Sequence, residues 1–182
     1  EVDILSSANT FTIPIKGLKN PSFMFSSFLK TKFKKGNDIV HAHHIAGALA
    51  MKNVSCKKIL SIHGIYSKNI AQLYGKTTSN ISKKYEKTAL NYADGITVIS
   101  KEGYNYYTEM GFNVVQIPNA IDLNIIPKKS IKQFENQIIF AGRLSKEKGI
   151  EILLETATHL PDNYHLLIAG SGPLEKNVRN LA

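Results

Sequence analysis

Residues 137–154 read QIIFAGRLSKEKGIEILL, and the fold follows from how this stretch divides. Gln137–Ala141 is an apolar run of strand length. After the turn, Ile150, Leu153, Leu154, Ala157 and Leu160 recur at helical spacing, so an amphipathic helix follows the strand. A buried strand leading into such a helix is half of a βα unit of a parallel sheet. Ligands of open α/β sheets bind beyond the carboxyl ends of the strands, which is where this turn lies. Gly142 permits a tight turn and close approach of backbone to a ligand. The planar fork of Arg143 suits two phosphate oxygens at once. Lys148, at the start of the next helix, would add its ammonium to the positive end of the helix dipole. The turn therefore reads as a grip for a diphosphate; the competing reading is a solvated Arg and Lys at a surface turn.

The same pattern extends in both directions. Downstream, Tyr164–Ala169 is a strand, and Gly170-Ser171-Gly172-Pro173 leads into a helix with Pro173 suited to its first position. Gly170 and Gly172 again allow close backbone approach, to a ligand or within a structural turn. A third glycine is missing and no acidic residue follows at the right distance within the chain, so this is no dinucleotide fingerprint, and no GKS or GKT loop occurs. Upstream, Val2–Leu5, Asp38–His43, Lys58–Ile62, Gly95–Ile99 and Val114–Ile117 read as strands. Pro21–Lys35, Ile45–Met51, Asn80–Tyr92 and Lys101–Met110 read as helices, the third with Ile81, Tyr85, Ala89 and Tyr92 on one face. Alternating strands and helices predict a parallel sheet with helices on both faces. The polar, Lys-rich stretch 119–136 is the expected linker between a domain over 1–118 and the start of a second over 137–182.

Composition narrows the function classes. The 182 residues suffice for one core, or for one domain and part of another. No apolar run approaches the ~20 residues of a membrane helix, and no signal peptide is recognisable. The one cysteine, Cys56, rules out an intrachain disulfide and reads as a small buried thiol in a reducing compartment. A net charge of +9 favours anionic partners. The charges are dispersed outside residues 30–35 and the α/β pattern matches no common nucleic-acid module, which argues against a nucleic-acid-binding domain. Glu1 opens without an initiator Met and PLEKNVRNLA closes without a Gly or Pro exit, so the chain is read as a fragment.

His41 and His43 are two apart on a strand and share a face. An H-x-H pair can bind zinc, but HExxH is absent, HAHH contains no Asp, and His159 and His165 have no supporting spacing; no metal or other cofactor is expected. His41 is read as a buried core histidine. The absence of GxSxG removes a serine hydrolase. PSFMFSSFLKTKFKKG, residues 21–36, interleaves Phe23, Phe25, Phe28 and Phe33 with Lys30, Lys32, Lys34 and Lys35. It suits either an anionic membrane surface or a core-packing helix with a solvated lysine end.

Six segments occur in an order that resembles glycosyltransferase family 4: DIVHAHH (38–44), SIHG (61–64), ADGITVIS (93–100), IPNAID (117–122), AGRLSKEKGIEILL (141–154) and HLLIAGSGP (165–173). The resemblance implies a GT-B fold of two Rossmann-like domains, with the acceptor bound mainly by the first and the nucleotide-sugar by the second. It implies transfer of a sugar from a UDP- or GDP-sugar to a hydroxyl of a glycan or lipid-linked acceptor, with retention of configuration and no metal. A glycan phosphorylase or sugar-phosphate synthase of the same fold is the alternative. Arg143 and Lys148 would hold the donor diphosphate beside Gly142, Gly170 and Gly172, and stabilise the departing nucleotide. His43 would act at the cleft near the transferred sugar, with His44, His63 and Asn119 also at the cleft. A Gly-rich loop before Val2 and paired glutamates after Ala182 would complete the site, so the fragment is expected to be inactive alone. Ala120 replaces the glycine usual in IPNAID, where a positive φ would be strained. The expected location is cytoplasmic and peripheral at the inner face of the cell membrane, through Pro21–Lys35.

Overall fold

The structure, a computed structural model, describes residues 2–15, 17–33, 36–74, 76–127 and 132–181. Lys34 and Lys35 lie outside these residues. The chain divides into two compact units, Glu1–Ile121 and Asp122–Ala182.

The first unit is a four-stranded parallel sheet in the order β1-β2-β3-β4, formed by Ile39–Ala42, Lys57–Ile62, Gly95–Val98 and Val115–Gln116. A 3-10 helix, Ile45–Asn53, joins β1 to β2. It starts where the His44 Nδ1 accepts the Ala46 N–H at 3.1 Å, and its Ile45, Ala48 and Met51 are buried. The helix α1, Lys19–Lys32, packs against it, and the Thr31 hydroxyl donates to the Ala50 carbonyl at 2.9 Å. Two helices, α2 (Tyr66–Tyr74) and α3 (Lys76–Leu90), connect β2 to β3. The helix α4, Lys101–Glu109, connects β3 to β4; the Ser100 hydroxyl caps it by accepting the Gly103 N–H at 3.1 Å. It gives way to Gly111 at φ +89°, a left-handed position natural to glycine.

Burial alternates along the strands. Leu60, Ile62, Ile96 and Val98 point into the core while Ile59, Ser61 and Thr97 point to a less covered face, where Ile39 is exposed. The described helices thus cover one face of this sheet more fully than the other. The second unit repeats the scheme on a smaller scale. Its strands β5 (Gln137–Ala141) and β6 (His165–Ala169) pair in parallel, α5 (Ile150–Ala157) crosses between them, and α6 (Glu175–Arg179) follows. Its core gathers Leu144, Ile150 and Leu154 with Phe140 and Ile168.

Several readings change. Val2–Leu5 forms no strand, because an apolar run becomes one only with a pairing partner and none is present among the described residues. The helix α2 was not anticipated. On α3 the buried face is Ser82, Glu86, Ala89 and Leu90, and Ile81 points outward. Cys56 is half-buried. Ala120 has no positive φ, so the missing glycine carries no strain. His41 is exposed rather than buried, because residues 39, 41 and 43 alternate onto the open face of β1.

Candidate functional site

Two groups of residues gather at the carboxyl ends of the strands, one in each unit. In the second unit, an open pocket of about 570 Å3 is lined by Gly142, Arg143 and Gly170–Pro173. Parallel pairing puts Ala141 beside Ala169, so the turns after β5 and β6 leave the sheet side by side. They are stitched together by main chain: Gly142 N–H donates to Ala169 O at 3.0 Å, Leu144 N–H to Ser171 O at 2.9 Å, and Leu174 N–H to Leu144 O at 3.0 Å. Arg143, Ser171 and Gly172 line the pocket, and their amides donate to no acceptor among the described residues. The Arg143 side chain is 66% exposed, with Glu147 Oε1 3.8 Å away.

This geometry redistributes the roles of the glycines. A Cβ on Gly170 would lie 1.8 Å from the Gly142 carbonyl oxygen, and one on Gly172 would lie 2.4 Å from that of Leu144. Their close approach is to the neighbouring turn. A Cβ on Gly142 would meet only the Phe140 ring at 3.5 Å, an ordinary contact, and Gly142 has no positive φ. Gly149, φ +72° and immediately before α5, is left-handed, and Gly170, φ +153°, also has a backbone conformation that side chains rarely adopt. Lys148 accordingly ends a 3-10 turn, Lys146–Lys148, two residues before the first residue of α5 rather than at the helix start, and it does not line the pocket. Lys146 faces Glu151 at 3.9 Å, whereas Lys148 has no carboxylate partner among the described residues.

In the first unit, His41, His43 and His63 come together although they belong to different strands. The His41 and His43 ring centroids are 4.1 Å apart and those of His43 and His63 are 5.9 Å apart. A hydrogen-bonded row crosses the sheet beside them: His41 Nε2 to Ser61 Oγ at 2.8 Å, and Ser61 Oγ to Thr97 Oγ1 at 2.7 Å. Partial desolvation of the exposed ring, then repulsion from His43 and His63, holds the His41 imidazole below its ordinary pKa. His44 is lowered by burial first and by His63 second. His44 and His63 line a small pocket of about 110 Å3 with Ile62, Gly64, Tyr66 and Asn69.

A residue that the sequence reading missed supports this pocket. Glu86 is fully buried on α3; its Oε1 accepts the Tyr66 N–H at 3.0 Å and the Tyr107 hydroxyl at 2.5 Å. It therefore satisfies an amide at the start of α2, the helix that carries the pocket residues Tyr66 and Asn69. Burial, together with Glu86, pushes the Tyr107 hydroxyl far above the usual phenol range. The available signal was an acid at helical spacing from Ser82 and Ala89. Asn119 lies on an exposed segment with no described link to either group. No group of three or more His, Cys, Asp or Glu among the described residues is arranged to hold a metal ion.

Comparison with known proteins agrees with this division. The family model described as Glycosyltransferase Family 4 matches residues 6–125, and that described as Glycosyl transferases group 1 matches residues 122–182. No curated protein sequence matches the chain. Among solved structures, TarM is similar with a TM-score of 0.64 at 18% identity, over 90% of this chain and 34% of that one. A mutant of TarM from S. aureus, in complex with Fondaparinux, alpha-GlcNAc-glycerol and UDP, is similar with a TM-score of 0.64 at 17% identity, over 94% of this chain and 36% of that one. The chain thus spans about a third of the length of these proteins, and at this identity the likeness establishes the fold alone.

Proposed function

Because the chain belongs to glycosyltransferase family 4, we propose that it is part of an enzyme that transfers a sugar from a nucleotide-sugar to a hydroxyl acceptor with retention of configuration. The observation that carries this reading is the pocket at the ends of β5 and β6, where Arg143 and three undonated amides converge. Such a place favours a diphosphate by charge and by hydrogen bonding together. UDP is the preferred nucleotide, with GDP the alternative; the UDP in the TarM complex supports the choice.

In the proposed reaction the bond between the sugar's anomeric carbon and the diphosphate oxygen breaks. The acceptor oxygen forms its bond to that carbon on the same face, and its proton passes to the departing diphosphate. Negative charge grows on the diphosphate as the bond lengthens, and Arg143 with Lys148 stabilises it in place of a metal. His43, with His44 and His63, serves the acceptor side.

Thermal shift with separate ligands tests this. UDP or GDP is expected to raise the melting temperature of the natural-length protein, by the amount that saturating a folded-state site requires. Stabilisation by glucose 1-phosphate alone would instead favour the phosphorylase or sugar-phosphate synthase alternative, and stabilisation by DNA alone would refute the transferase.

The proposal extends to an anionic membrane surface that holds a lipid-linked acceptor, with the protein peripheral at the cytoplasmic face. Its support is α1. Ser27 and Thr31 are the residues it buries, whereas Phe25 is 62% and Phe33 is 79% exposed. Leu18, Phe25, Leu29 and Phe33 follow one helical stripe, with Lys32 beside Phe33 at 5.9 Å from its ring. Membrane attraction is about 1 kcal/mol per lysine. Replacing Lys30, Lys32, Lys34 and Lys35 by glutamine is therefore expected to weaken binding to anionic liposomes roughly a hundredfold or more. Unchanged liposome binding would remove the membrane from the proposal.

A further inference from the structure

The histidine group differs from an ordinary sugar site in what it lacks. Sugar hydroxyls donate and accept hydrogen bonds, and a site for a neutral sugar normally supplies acceptors as well as donors. Here no carboxylate comes within ion-pair distance of any histidine among the described residues. Glu86, which supports the pocket through Tyr66, has one oxygen committed to the Tyr66 amide and the Tyr107 hydroxyl, and it is fully buried. The other groups that face the histidines are His41, whose ring centroid is 4.1 Å from that of His43, the Ser61 and Thr97 hydroxyls from β2 and β3, and Tyr66 and Asn69 from α2. The Tyr85 hydroxyl on α3 is held protonated by burial and donates to the Ile45 carbonyl at 3.2 Å.

The ring nitrogens are placed to donate. His44 Nδ1 accepts the Ala46 amide, so a neutral His44 carries its proton on Nε2. His43 and His63 make no hydrogen bond to protein among the described residues, and their rings lie 5.9 Å apart. Three imidazoles at the strand ends are thus free to donate on at least one nitrogen, and they repel one another when protonated. A bound anion relieves that repulsion; a neutral polyol does not.

We infer that His43, His44 and His63 form an acceptor subsite for an oxyanion, so that the acceptor is a phosphoester rather than a neutral glycan. This deepens the transferase reading and rests on it. Anion binding stabilises protonated imidazole, so affinity rises as pH falls.

Sulfate, whose charge is constant over this pH range, is the first probe for NMR of the histidine Cε1–H signals of the natural-length protein. At constant ionic strength it is expected to move the titration of His43 and His63 upward by about one pH unit. It should bind more tightly at pH 6 than at pH 8 by up to about a hundredfold, since the linkage gives up to about tenfold for each of the two shifted groups. The double variant H43Q/H63Q should lose the effect while UDP still binds. Glycerophosphoglycerol in solution and phosphatidylglycerol vesicles then separate a free phosphoester from a lipid headgroup, according to which one shifts the same two signals. Equal sulfate shifts at His159 and His165, or shifts caused by methyl glucoside and not by any of the anions, would overturn the inference. Failure of UDP to bind would strike the transferase reading itself.

Discussion

Replacing Arg143 by alanine is expected to lower the rate of sugar transfer by about 10²–10³-fold, the usual effect of removing one donor from a site of developing negative charge. Protein stability should hardly change. The Arg143 side chain is 66% exposed, and its approach to Glu147 is long at 3.8 Å. An exposed pair of this kind contributes little, so the melting curve should stay within about 0.5 kcal/mol of wild type. Loss of activity without loss of stability distinguishes a ligand grip from a solvated surface arginine. UDP should also cease to raise the melting temperature of the variant. Measured rates within threefold of wild type would show that the diphosphate lies elsewhere.

The second large effect concerns stability. Gly170→Ala places a Cβ 1.8 Å from the Gly142 carbonyl oxygen, and Gly172→Ala places one 2.4 Å from that of Leu144. Both obstacles are main chain, and both belong to the turn that carries Arg143. A side chain could rotate away, but these carbonyls cannot move without breaking the bonds from Leu144 to Ser171 and from Leu174 to Leu144. Overpacking typically costs about 1–3 kcal/mol, and a main-chain clash belongs at the upper end or beyond. The core of this unit centres on three buried residues, Leu144, Ile150 and Leu154, so such a loss is large for it. Urea denaturation followed by probes in residues 137–181 should show the loss, with UDP binding lost in parallel. Gly142→Ala supplies the contrast: its Cβ meets only a ring edge at 3.5 Å, so stability should be kept while diphosphate binding weakens. If Gly170→Ala unfolds at the wild-type urea concentration, the packing of the two turns is not as described.

The histidines show why some of the site was legible in the sequence and some was not. That His41 and His43 share a face follows from the two-residue period of a strand, which needs no partner. That His63 joins them depends on the register of β1 on β2, which sets Ala42 beside Leu60 and carries the following residues to one edge. Register is a long-range property, and SIHG contains nothing that states it. The burial of His41 was misread for a related reason: an apolar neighbourhood along the chain does not reveal which sheet face the helices cover. Glu86 escaped notice because a carboxylate in an amphipathic helix ordinarily faces water. Its burial makes sense only once the first turn of α2 presents an amide to it.

The sequence by itself determined the strand–turn–helix units, the family resemblance and the place of the Gly142-Arg143 turn at the end of a strand. Each rests on local matters: apolar period, turn residues, and the type and spacing of charges. Only the tertiary structure decided that Gly170 and Gly172 serve the contact between two turns, that Gly142 is free of steric need, and that Glu86 braces the pocket lined by His44 and His63. Those roles arise where segments distant in the chain meet, and backbone contact across parallel strands leaves no periodic trace in either segment. The GRLSKEKG turn therefore showed its place at a strand end in the sequence, while the glycines that hold it there became intelligible only when β5 and β6 were paired.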